Sequence, residues 1–247
     1  MGEDGEGAGD GEQAEIRRVL VVTAHPDDVD FGAAGSVAAW SDAGAEVTYC
    51  VVTDGDAGGF DPAVPRPDIP GVRRAEQEAA AAVTGAAEVI WLGYPDGRLQ
   101  ATLGLRRDLA RVIRRVRPQR VVCPSPERIW DRIHASHPDH LAAGEATVCA
   151  VYPDSRNRFA FPELAEEGWE PHAVAELWIM VARPDVFVDI TATFARKIAA
   201  LRCHVSQETD RSGRLEDWMR EWAAATAATA GWEPGRLAEG FRRVATA

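Results

Sequence analysis

The strongest constraint on this chain is a series of short apolar runs, each ended by a polar turn and followed by residues at helical spacing. Val19-Leu-Val-Val-Thr23 is the clearest of them. A run this short, β-branched and uniformly apolar reads as a strand buried on both faces, as in a parallel sheet. From Asp30 onward, Phe31, Ala34, Val37 and Ala38 recur at helical spacing. The pattern returns in Glu46-Val-Thr-Tyr-Cys-Val-Val-Thr53, Glu88-Val-Ile-Trp-Leu92 and Arg120-Val-Val-Cys123, with helices expected over 72–83 and 105–116 and from Pro138. Strands over 173–181 and 186–189, a helix over 191–205 capped by Thr191, and a helix near 215–230 complete the reading. Such alternation predicts an α/β fold: a Rossmann-like single domain with a mostly parallel sheet flanked by helices. A dinucleotide fingerprint is missing, because Gly32-Ala-Ala-Gly35 comes too late in its helix for phosphate approach.

Composition narrows the class. With 247 residues, 46% hydrophobic, the chain can bury one sizeable core over 15–247, and no apolar run is long enough to span a membrane. Residues 1–14 contain only Gly, Ala, acids, one Gln and the first Met, and read as a disordered tail without signal-peptide character. A formal charge of −12 argues against nucleic acid or an anionic membrane as partner. Cys50, Cys123, Cys149 and Cys203 show no metal-type spacing, so free thiols in a reducing cytoplasm are expected. The helix over 105–116 sets Leu105, Leu109, Val112, Ile113 and Val116 on one face, with Arg106, Arg107, Arg111, Arg114 and Arg115 elsewhere as a solvated basic side.

Two polar clusters fall where an open parallel sheet binds ligands, beyond the carboxyl ends of strands. In the first, His25 precedes Asp27 and Asp28 on a strand-to-helix turn. Adjacent aspartates in a tight turn point in different directions, so one can hold a metal while the other faces a water. The competing reading is that they only cap the helix. The second cluster is Ser136-His-Pro-Asp-His140, where Pro138 suits a first helical turn and His137 and His140 share one face. Imidazole and carboxylate donors suit a divalent ion such as zinc, and three protein ligands leave a position open for water. His134 fits neither spacing.

Other segments carry weaker signals. Residues 54–71 are rich in Gly, Pro and Asp, and a loop of this length after a strand end is expected to wall or cover the site. Tyr94-Pro-Asp-Gly97 is a turn, Trp218 and Trp222 read as a core pair, and no internal repeat is present.

Taken together, Ala24-His-Pro-Asp-Asp28 and His137-Pro-Asp-His140, in this order, resemble the PIG-L (LmbE-like) zinc-dependent N-deacetylases. Thr53-Asp-Gly-Asp-Ala-Gly58, Arg73-x-x-Glu76, Gly93-Tyr-Pro-Asp-Gly97, Lys197 with His204-x-Ser-Gln207, and Ala238-Glu-Gly-Phe241 extend the resemblance over nearly the whole chain after the tail. It implies removal of an acetyl group from N-acetylglucosaminyl compounds, as in the deacetylases and amidases of mycothiol metabolism. It further implies Zn2+ (Fe2+ or nickel being alternatives) on His25, Asp28 and His140, with Asp27 as general base and His137 as oxyanion-side partner. Arg73, Asp96 and His204 become candidate substrate contacts, where the residues alone allow a solvated arginine, a turn former and a core histidine. Val29 departs from the family, which commonly carries Glu after the Asp pair. The expected partner is a small amino-sugar substrate, with a homo-oligomer left open. Two other readings stand beside this one: an amidase for a larger conjugate or antibiotic glycoside, and a non-catalytic sugar-binding protein.

Overall fold

The computed structural model describes residues 16–246 except Phe60, Ala182, Glu208 and Thr209, and the side chains of Asp131, Arg132 and His134 fall outside the description, as does the expected tail. In chain order the elements are β1 (Arg18–Thr23), α1 (Asp28–Gly32), α2 (Ala34–Asp42), β2 (Glu46–Thr53), α3 (Ile69–Thr84), β3 (Glu88–Tyr94), α4 (Leu103–Val116), β4 (Arg120–Pro124), α5 (Pro138–Cys149), α6 (Glu163–Glu166), β5 (Glu176–Met180), β6 (Val186–Asp189), α7 (Phe194–Leu201), α8 (Leu215–Thr229) and β7 (Ala238–Ala245). The sheet runs β3-β2-β1-β4-β5-β7-β6. Strands β1 to β5 are parallel, and β7 pairs antiparallel with both β5 and β6.

The sheet is covered on both faces, which is why its strands read as unbroken apolar runs. Leu20, Val22, Cys50, Val121 and Cys123 pack with Leu105, Leu109, Ile113 and Ala146 on one side. Val19, Val21, Val47 and Val122 pack with Val29, Val37 and Phe241 on the other. Each fully buried Val or Leu contributes about 1.5–3 kcal/mol relative to exposure. Gly144 lets α5 lie directly on the end of β4, since a Cβ there would stand 2.5 Å from Pro124 O. The order 3-2-1-4 puts the reversal of winding between β1 and β4, so the turns after these two strands meet at the switch point.

Several expectations need correcting. Helix α3 begins at Ile69 behind a short 3₁₀ turn (Arg66–Asp68), because Pro70 is tolerated in a first turn. Its start shortens the expected 54–71 loop. Thr193, not Thr191, precedes α7, and Thr191 instead accepts Leu237 N through Oγ1. Trp218 and Trp222 are 54% and 37% exposed rather than core, because α8 turns Leu215, Met219, Ala223 and Ala227 inward instead. Arg114 is buried, with its guanidinium donating to the carbonyls of Asp154, Ser155, Asn157 and Ala160 and so fastening the loop beyond α5. Strand β7 lay unrecognised within the 238–241 motif. No helix among the described residues is long and apolar enough to cross a membrane.

Candidate metal centre

Three donor atoms converge at the switch point. His25 Nδ1 stands 3.2 Å from His140 Nε2. His140 Nε2 is 3.0 Å from Asp28 Oδ1, and Asp28 Oδ2 is 3.5 Å from His25 Nδ1. Donors at 2.0–2.1 Å around a tetrahedral ion lie roughly 3.3 Å apart, so the set fits a divalent cation without rearrangement. The other nitrogen of each histidine is occupied. His25 Nε2 meets Asp139 Oδ2 at 3.2 Å and Asp96 Oδ1 at 3.1 Å, and His140 Nδ1 faces Ala135 O at 3.4 Å. These contacts fix both tautomers with the lone pair toward the centre.

A second grouping, His25 with His137 and Asp139, also lies within metal-binding distance. Its carboxylate is committed elsewhere: Asp139 accepts Gly97 N at 2.7 Å and Leu99 N at 3.1 Å while bonding His25. His137 Nδ1 accepts Asp139 N at 3.2 Å. The ring of His137 lies 4.8 Å from that of His25, at the margin of the first set.

Electrostatics agree with a cation site. Burial opposes the His25 imidazolium, but Asp139, Asp28 and Asp96 around it push its pKa up to about 12. Three carboxylates around one imidazole favour positive charge at this point, whether carried by a proton or by a metal ion. Burial likewise opposes the Asp28 carboxylate, yet the neighbouring His140 and His25 hold it well below the usual range. Asp27 goes the other way: burial raises it to about 7, against the pull of Arg73. Burial and the charge of His25 lower His137, so it is neutral at neutral pH.

Asp27 occupies the position before α1, but its side chain makes no cap hydrogen bond, which removes the capping explanation for the aspartate pair. It sits at φ 85°, a left-handed conformation uncommon outside glycine. Arg73 Nη2 donates to Asp27 Oδ2 at 2.9 Å and to Pro26 O at 2.6 Å. Gly58 is required beside it, because a Cβ there would meet the Arg73 guanidinium.

The three expected substrate contacts are placed differently. Arg73 is buried beneath Asp27, Asp96 lies against His25, and His204 is fully buried with Nε2 2.7 Å from Asp30 Oδ2. Residues given no role by sequence join them. Gln77 and Asp30 lie between Asp27 and His204, Glu76 accepts Ser206 N and Oγ, and Lys197 pairs with Glu239 at 2.6 Å. The signal was the spacing of Arg73, Glu76 and Gln77 at i, i+3 and i+4, one helix face. Val29, the departure from the family pattern, is fully buried in the core, and the carboxylates supporting the histidines come from Asp139 and Asp96. The 54–59 segment is pinned to this rim by Asp56 Oδ1, which accepts Asp96 N at 2.9 Å. Beside it lies a cavity of about 320 Å³ lined by Asp54, Asp56, Arg66, Gly93 and Pro95.

Fold and site define a Rossmann-like α/β protein with two imidazoles and a carboxylate gathered at the sheet's switch point. A family model described as PIG-L, GlcNAc-PI de-N-acetylase, matches residues 20–151, and the chain belongs to this family of deacetylases. It is 30% identical to diacetylchitobiose deacetylase of Thermococcus kodakarensis, across 93% of this chain and 84% of that one. It is 34% identical to a probable N-acetyl-alpha-D-glucosaminyl L-malate deacetylase 2 of Bacillus cereus, across 87% and 94%. The structure of N,N'-diacetylchitobiose deacetylase from Pyrococcus horikoshii superposes with a TM-score of 0.85 at 29% identity, across 94% of this chain and 85% of that one.

Proposed function

We propose that this protein is a zinc-dependent hydrolase that removes the N-acetyl group from an N-acetylglucosaminyl-type small molecule. The observation that carries the reading is the trio of donor atoms 3.0–3.5 Å apart with a further carboxylate, Asp27, held beside it by Arg73 and not used as a helix cap. The amino-sugar substrate is supported by the activities named for the relatives. The four free cysteines suit a reducing cytoplasm.

His25 Nδ1, Asp28 and His140 Nε2 would hold the ion. When bound, it supplies Lewis acidity that brings the pKa of a water down to about 7 and polarises the acyl carbonyl. Asp27 accepts the proton of the attacking water on Oδ1, while Arg73 keeps Oδ2 engaged and the carboxylate oriented. The water oxygen bonds to the acyl carbon. His137 is neutral, and because Nδ1 accepts Asp139 N, its proton sits on Nε2. That N–H donates a hydrogen bond to the oxygen on which negative charge develops, an interaction strongest in the transition state. As the C–N bond breaks, the proton held by Asp27 passes to the departing amine, and the acyl group leaves as acetic acid, which ionises to acetate in water. The rim formed by 54–59 and the adjoining cavity would receive the group carried by the sugar.

The test is acetate release from a panel of N-acetylglucosaminides by purified protein of measured metal content. Acetate formation that depends on about one zinc per chain is expected. A zinc-loaded protein that releases none from any member would overturn the reading.

A further inference from the structure

Behind the site runs a fully buried relay of side chains that does not touch the three donor atoms. Asp27 N donates to Gln77 Oε1 at 2.7 Å. Gln77 Nε2 donates to Asp30 Oδ2 at 2.9 Å, and His204 Nε2 bonds the same oxygen at 2.7 Å. Gln77, Asp30 and His204 are each 0% exposed. The amide of Gln77 has one workable orientation here, because a backbone N–H must be accepted and a carboxylate must be given a donor. Asp30 is held in turn by its backbone, since Lys197 Nζ donates to Asp30 O and Phe31 O while pairing with Glu239 on β7.

The relay ends on the one non-glycine residue of the site with a left-handed backbone. Asp27 at φ 85° is in a strained conformation for a residue with a side chain, one that persists only where its surroundings over-determine it. Arg73 fixes its side chain, and Gln77 fixes its N–H. Without the second contact, rotation about Asp27 would swing the carboxylate away while leaving Asp28, whose Oδ2 accepts His25 N, in place.

We infer that Gln77, braced by Asp30 and His204, is the positioning residue that holds the general base Asp27 in its working conformation. The inference rests on the assignment of Asp27 as base made above. Gln77→Leu keeps the volume but cannot accept the N–H of Asp27. Metal content and KM should match the parent while kcat falls on the order of 10- to 100-fold, as expected for misplacement of a reacting group. In an Asp27→Asn background the same change should cost almost nothing further, because two residues acting through one group are not additive.

The outcomes separate the two ideas. Slow Asp27→Asn with parental kcat in Gln77→Leu, or full multiplication of the two losses, overturns the role of Gln77 and leaves the base intact. Parental turnover in Asp27→Asn overturns both. Loss of metal or a raised KM in Gln77→Leu makes the role general scaffolding and overturns positioning. Should Gln77→Leu not fold, Asp30→Ala decides. It removes Oδ2, the one oxygen that takes both Gln77 Nε2 and His204 Nε2, so a kcat loss at constant KM is expected, and parental kcat refutes the relay.

Discussion

Asp139→Asn probes the support of the metal centre with the smallest available change. In the parent, Oδ1 accepts Leu99 N at 3.1 Å, while Oδ2 accepts Gly97 N at 2.7 Å and faces His25 Nε2 at 3.2 Å. An asparagine must place its NH₂ against one of these sets of donors. The less costly orientation turns it toward Leu99, leaving one buried N–H unpaired at about 1–3 kcal/mol. His25 Nε2 then donates to a neutral oxygen, a bond roughly half as strong as one to a carboxylate. Weaker orientation of His25 should reduce metal affinity by roughly 10- to 100-fold. Competition with a chelator of known affinity measures this, and urea unfolding of the metal-free protein measures the stability term. Burial opposes the Asp139 carboxylate, but His25 and the Gly97 and Leu99 amides hold its pKa below the usual value. Its stabilisation is therefore present at neutral pH and fades as pH falls through that lowered value, so parent and variant should converge in acid. Unchanged metal affinity and unchanged stability at neutral pH would refute the role given to Asp139.

Asp27→Asn should retain metal and KM and lose on the order of 10²-fold or more in kcat. Because Asp27 must be ionised to accept a proton and its pKa is raised to about 7, parental activity should rise with pH along an acid limb at or below that value, a bound dication favouring the carboxylate. That limb should change in the variant, and an unaltered profile would count against Asp27. Glu239→Ala strands the buried Lys197 and removes the acceptor of Gly35 N and Ser36 N, so a loss of about 3–5 kcal/mol in urea unfolding is expected. Gly144→Ala drives a methyl group into Pro124 O and pushes α5 from the sheet, costing about 1–3 kcal/mol in stability and reducing metal affinity as His140 moves. A fully stable Gly144→Ala protein with parental affinity would show that α5 is not so tightly seated.

The basic helix departs from the solvated face expected for it at Arg114, which is buried, while its other arginines stay at the surface in ion pairs. Arg106 bonds Asp154 twice, Arg111 bonds Asp108 and Glu167, and Arg115 bonds Glu88. Cations already paired within the fold make a poor surface for phosphates, and Arg114 is fully occupied by carbonyls.

Sequence by itself determined six of the seven strands, the two polar turns and their residue types. Strands buried on both faces must be apolar throughout, and helices must repeat at 3.6 residues, so both periods are written locally. His25, Asp27, Asp28, His137 and His140 were legible because each stands within a few residues of a strand end or a helix start. What joins those turns is not local. The order β3-β2-β1-β4 brings His140 to within 3.2 Å of a histidine 115 positions earlier, and only packing can set that separation. The roles of Arg73, Asp96 and His204 were hidden for the same reason: a charged side chain looks identical in sequence whether it faces solvent, a ligand or a buried partner. The fold put all three on neighbouring aspartates or histidines, because charge removed from water needs a partner close by. Strand β7 escaped notice because its Arg242 and Arg243 suit an exposed loop as well as an antiparallel strand, and the choice was made by the open edge of β5. Trp218 and Trp222 were misjudged because helical spacing shows that two residues share a face but not which face turns inward. The side of α8 that packs was decided by the shape of the surface it meets.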